Sequence, residues 1–143
     1  MKHLVLTTLV ALGLLFGGTA AAKTSIKVNE MTVDGLTVMA VDCKLTGGGF
    51  MAGAVLIGSL AKQKRPIDKC GPKGQAARLQ FMLGGKGPKD IKALASSTKK
   101  TGPCMVKALK KVKTTLKGQC TMTLLSGPKP AAKKAAAALP VKP

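Results

Sequence analysis

The sequence predicts a small α+β domain: an antiparallel sheet of an N-terminal hairpin, a central hairpin and a C-terminal strand, packed with two helices and stapled by disulfides. Three observations predict it. Residues 24–46, 75–96 and 119–125 read as strands, most of them alternating apolar and polar residues as strands with one covered face do. Between these stretches, 50–70 and 103–113 carry apolar residues near the helical period. Cysteines stand at 43, 70, 104 and 120, an even number.

The elements follow in order. Ile26 and Val28 alternate with polar neighbours, and Met31 and Val33 alternate one register on, which predicts a bulge near Asn29-Glu30. Asp34-Gly35 between apolar runs predicts a hairpin turn, because both central residues of such a turn need positive φ. Leu36–Leu45 is apolar on both faces, as in a strand with little solvent contact, and Gly47-Gly48-Gly49 ends it. Over 50–70, Leu56, Leu60, Ile67 and Cys70 recur at helical spacing. Pro66 is expected to kink or restart that helix at Arg65, and Gly71-Pro72 to stop it.

Ala77, Leu79, Phe81 and Leu83 then alternate into the turn Gly84–Pro88, and Ile91, Ala93 and Ala95 return. Pro103 suits a first helical position, and Met105, Ala108, Leu109 and Val112 form one stripe among lysines. Cys120, Met122 and Leu124 are the inward residues of the last strand. This order predicts helices over one face of the sheet. Residues 127–143 carry proline, lysine and alanine without an acid, and are expected to be a disordered tail beyond a single domain at 23–126.

Residues 1–22 read as a secretory signal peptide. Lys2 precedes an apolar run from Leu4 to Phe16, which is short for a bilayer span of about 20 residues. Gly17-Gly18 breaks the run, and Ala20-Ala21-Ala22 offers the small residues of a cleavage site before Lys23. The predicted location is therefore the periplasm or the extracellular space. Export sets the reading of the cysteines, since two disulfides are the default in an oxidising compartment. Zinc is the rival, but there is no Cys-x-x-Cys, and the single His is His3. Three connectivities are open from the residues alone.

Charge is the loudest feature: 24 Lys+Arg against 5 Asp+Glu, a formal net charge of +19. Without a His beyond residue 22, Ser96-Ser97 has no base for nucleophilic catalysis. The carboxylates Glu30, Asp34, Asp42, Asp68 and Asp90 show no paired spacing, and the Gly-rich segments lack the Gly-Lys-[Ser/Thr] ending of a P-loop. No enzyme, cofactor or metal is expected. Specific nucleic-acid recognition is not expected either: Phe50 and Phe81 are the only aromatics after residue 22, and arginine is scarce. Diffuse lysine charge suits an anionic lipid or envelope polymer, with Lys99, Lys100, Lys107, Lys110, Lys111 and Lys113 as the candidate surface. Cys104, near a helix start among lysines, is a candidate reactive thiol if it is not in a disulfide.

A helix ending in Cys70, the strand Ala76-Ala77-Arg78-Leu79-Gln80-Phe81-Met82-Leu83, a Gly-rich turn, Asp90–Ser97 and then Cys104–Leu109 together resemble the TonB C-terminal-like domains of the AgmX/PglI type, found in myxobacterial envelope proteins. The resemblance covers residues 56–125. It departs at Gly71, where that family has a Tyr, and at Lys113–Leu116, where it has an aromatic segment. It implies a Cys70–Cys104 bridge between the two helix ends, which leaves Cys43 to Cys120, and it implies a protein partner in the cell envelope. The expected function is thus an exported, non-catalytic binding or structural module. A polycation acting by charge on lipid, cell-wall polymer or extracellular DNA is the first alternative, and a thiol redox protein the second.

Overall fold

A computed structural model describes residues 23–140. The chain forms β1 (Lys23–Val33), β2 (Leu36–Thr46), a 3-10 turn (Gly49–Met51), α1 (Ala52–Ala61), α2 (Lys64–Lys69), β3 (Gln75–Gly84), β4 (Pro88–Ser96), α3 (Thr101–Leu109), β5 (Lys117–Ser126) and α4 (Lys129–Ala137). The strands make one antiparallel five-stranded sheet in the order β1-β2-β5-β3-β4. The predicted α+β class holds, with each hairpin in place and the C-terminal strand between them.

The core lies on one face of the sheet. Val38, Val41, Cys43 and Leu45 of β2, Leu79 and Phe81 of β3, and Cys120, Met122 and Leu124 of β5 are buried there. They pack with Leu56, Ile57 and Leu60 of α1, Ile67 of α2, and Met105 and Leu109 of α3. Asp34 and Gly35 have φ of 48° and 78°, the positive pair that the hairpin turn demands. The register slip predicted in β1 is present, since Ile26, Val28, Met31 and Val33 all pack on the core. The bulge itself belongs to β2. Its register against β5 shifts between Met39 and Asp42, and Ala40 takes φ 48°. The register between β1 and β2 stays constant from Lys23↔Thr46 to Val33↔Leu36, so β1 changes face together with its partner.

The edges are protected. Pro88 and a bulge at Asp90 (φ 51°) interrupt β4, and Lys23 and Lys27 are exposed along β1. The helical segment 50–70 breaks at Lys62-Gln63 rather than at Arg65. Pro66 falls in the first turn of α2, where its missing N–H costs nothing. Pro103 likewise lies inside the first turn of α3, which starts two residues earlier than the proline suggested.

Cys43 and Cys120 face each other in register across β2 and β5 with Cα atoms 4.1 Å apart, and they are bonded. Cys70, the C-cap of α2, is bonded to Cys104 of α3 with Cα atoms 5.5 Å apart. These are the pairings expected from the resemblance.

The C-terminal segment departs from expectation. In place of a disordered tail and helices on a single face, Lys129–Ala137 forms α4, which packs against β3 and β5. Ala76 and Leu125, directly opposite each other, point away from the main core and are buried beneath this helix with Ala132. Two physical reasons account for it. Pro128 and Pro130 start the helix and alanine sustains it. Alanine is also small enough for α4 to lie against the backbone at Gly74, where a Cβ would strike Ala131. A helix without bulky apolar residues can therefore dock by close approach. Residues 1–22, read as the signal peptide, and 141–143 lie outside the described residues.

Candidate anion-binding site

The turn between β3 and β4 is Gly84–Pro88, and its tip is tied to the segment after α3. The Gly85 amide donates to the Leu116 carbonyl at 3.0 Å. Gly87 has φ 154°, and a Cβ there would strike the Val112 carbonyl oxygen, so only glycine allows the two segments to touch. This contact creates an open cleft of about 630 Å³.

Lys86 and Lys89 line the cleft from the hairpin; Lys110, Lys111 and Lys113 line it from the segment that leaves α3. The Lys89 side chain lies across Gly84, and that of Lys117 across Gly85. No carboxylate lines the cleft. A neighbouring depression of about 320 Å³ shares Lys111 and adds Lys69 and Lys107 around Cys104. The C-terminal end of α3 carries partial negative charge, which helps to hold Lys107 and Lys110 in place. Among the described residues the other cleft lysines enter no ion pair, so an anion in the cleft would relieve their mutual repulsion.

Asp90 follows Lys89 in β4 but enters no ion pair among the described residues and does not line the cleft; the paired acids lie elsewhere. The ion pairs among the described residues are Lys64–Asp68, Lys129–Glu30 at 2.9 Å and Lys133–Glu30 at 2.7 Å. All belong to the end of the sheet that carries the Asp34-Gly35 turn and α4. The Asp68 carboxylate also accepts from the Gly127 amide at 3.1 Å. The hydrogen bond from Lys133, then that from Lys129, holds the Glu30 carboxyl below the usual carboxylate range. Asp42 stands opposite Lys27 on the uncovered face of the sheet.

The six lysines singled out from sequence are thus divided. Lys110, Lys111 and Lys113 converge on the cleft and Lys107 adjoins it. Lys99 and Lys100 precede α3, at the other end of a nine-residue helix about 13 Å long, and do not join them. Lys86, Lys89 and Lys69 were missed as site residues. The signal for Lys86 was its place in the glycine turn, a lysine where the backbone bends back on itself. Cys104 is bonded to Cys70, and no described cysteine has a free thiol. No group of three metal-ligating side chains forms among the described residues, and no described helix is long and apolar enough to cross a membrane. Comparison of the chain with protein families, with curated proteins and with solved structures finds no match.

Proposed function

We propose that the protein is an exported, non-catalytic binding module of the bacterial cell envelope whose lysine cleft engages an anionic partner. One observation carries this reading: five lysines from two segments distant in sequence converge on a cleft lined by no carboxylate. Lysines with neither arginine nor an aromatic among them suit repeated or diffuse negative charge better than a patterned base edge. Two disulfides fit an oxidising compartment, in line with the signal-peptide reading of residues 1–22. The cleft favours a charge-driven partner over the protein partner implied by the TonB-like resemblance. That resemblance rests on the arrangement of Cys70, the central hairpin and Cys104.

Binding to long-chain inorganic polyphosphate tests the reading. Affinity should fall steeply and linearly with the logarithm of salt concentration. The triple variant Lys110→Gln, Lys111→Gln, Lys113→Gln should bind at least about tenfold more weakly at low salt. A charge-matched control, Lys99→Gln, Lys100→Gln, Lys134→Gln, should stay near wild type. Equal losses in both variants would mean that net charge, and not the cleft, does the binding.

A further inference from the structure

The cleft has an apolar neighbour. Leu45 through Ala61 is an uninterrupted run without a charged residue, in a chain where 20% of residues are charged. Part of that run is core, but its leading edge is not. Phe50 is 93% exposed, Met51 50% and Val55 44%. Met51 and Val55 stand one helical turn apart on the open flank of α1, and Phe50 projects from the 3-10 turn just after Gly47-Gly48-Gly49.

This edge and the cleft share one end of the molecule. Thr46 and Gly84 both pair with Lys117. The buried Leu116 side chain lies against Gly48, while its carbonyl receives the Gly85 amide. Leu116 is therefore the common floor beneath the Phe50 loop and the hairpin tip. Lys23, opposite Thr46 at the start of β1, adds a further cation to the same end.

We propose that this end docks on an anionic lipid bilayer: Phe50, Met51 and Val55 enter the interface while the surrounding lysines meet headgroup phosphates. The proposal rests on the cleft as an anion site and names its partner. A soluble polyanion has no use for a projecting phenylalanine, whereas a lipid interface rewards both buried apolar surface and adjacent positive charge. A second copy of the chain is disfavoured by charge, because joining two such ends would bring two sets of unpaired lysines together.

The chain has no Trp and no Tyr, so Phe50→Trp makes a single fluorophore at the proposed point of entry. Its emission should shift to the blue with vesicles of equimolar phosphatidylcholine and phosphatidylglycerol, and not with phosphatidylcholine alone. In vesicle sedimentation, Phe50→Ser should weaken partition about tenfold, and the Lys110/Lys111/Lys113 triple variant about a hundredfold. Phe50→Ser should leave polyphosphate binding unchanged. An unshifted emission, or a Phe50→Ser protein that partitions like wild type while the lysine variant loses both ligands, would overturn lipid docking and leave the anion site standing. Failure of wild type to bind vesicles or polyphosphate would overturn both.

Discussion

The two ends of the sheet are built from the same lysine-rich composition and use it in opposite ways. At the end with the Asp34-Gly35 turn, Lys64, Lys129 and Lys133 each find a carboxylate and become part of the structure. At the other end, Lys86, Lys89, Lys110, Lys111 and Lys113 find none and surround an open cleft. A net charge describes neither. What distinguishes structural from available charge is which lysines reach a carboxylate: among the described residues only Glu30 and Asp68 are paired.

The largest test of this contrast removes what both ends share. The disulfides span sequence separations of 77 and 34 residues, and loop entropy assigns them about 4.5 and about 4 kcal/mol. Thermal melts under reducing agent should show loss of most of the stability, and polyphosphate binding should collapse to the weak, unsaturable kind of a flexible polycation. A reduced protein that kept a discrete site would mean that the cleft needs no folded scaffold.

Next in size, truncation after Gly127 acts on the acid end alone. Removing α4 uncovers Ala76 and Leu125 and should cost about 2 kcal/mol, read as a lower urea midpoint. Cleft binding should be retained, because α4 lies at the far end of the sheet. An unchanged midpoint would show that the helix contributes no docking energy.

Gly87→Ala acts on the basic end alone. The new Cβ meets the Val112 carbonyl, so the hairpin tip should swing away at a cost of about 1–2 kcal/mol. The cleft lysines should separate and anion affinity should fall more than stability does. Equal affinity with a lowered melting point would show that the cleft tolerates a wider opening.

The smallest effect belongs to Glu30→Gln. Because its carboxyl is held below the usual range by Lys133 and Lys129, the ionised form binds those lysines more tightly in the folded state than in the unfolded one. That stability is in full force above the ordinary carboxylate range and disappears as pH falls through the lowered folded value. Wild type should therefore lose a small increment in acid that Glu30→Gln lacks throughout, and added salt should shrink the difference. A wild-type and a variant melt that run parallel at every pH would remove Glu30 from the account of α4.

Much of the fold was legible because strands announce themselves locally. The alternation of Leu79, Phe81 and Leu83, the Asp34-Gly35 turn, and even the slip between Val28 and Met31 are properties of neighbouring residues. The slip was assigned to β1, whereas its origin is Ala40, one strand over; a bulge is a relation between strands, and sequence shows only the face change it leaves behind. α4 was missed because its docking depends on smallness at Gly74 and Ala132 rather than on bulk. Lys86 and Lys89, two of the five cleft lysines, were not singled out because the hairpin meets the segment after α3 only through the contact of Gly87 with Val112.

β5 has a consequence for the order of events. It is the last strand in the chain, yet it occupies the centre of the sheet, with the two hairpins on either side of it. Until residues 117–126 are present, β1-β2 and β3-β4 have no edge in common, and Cys43 has no partner. A chain emerging N-terminus first can close Cys70–Cys104 early, but it can complete the sheet and the second bridge only at the end. Such non-local closure is slow, and it makes β5 the element on which the joining of the two hairpins into one sheet depends.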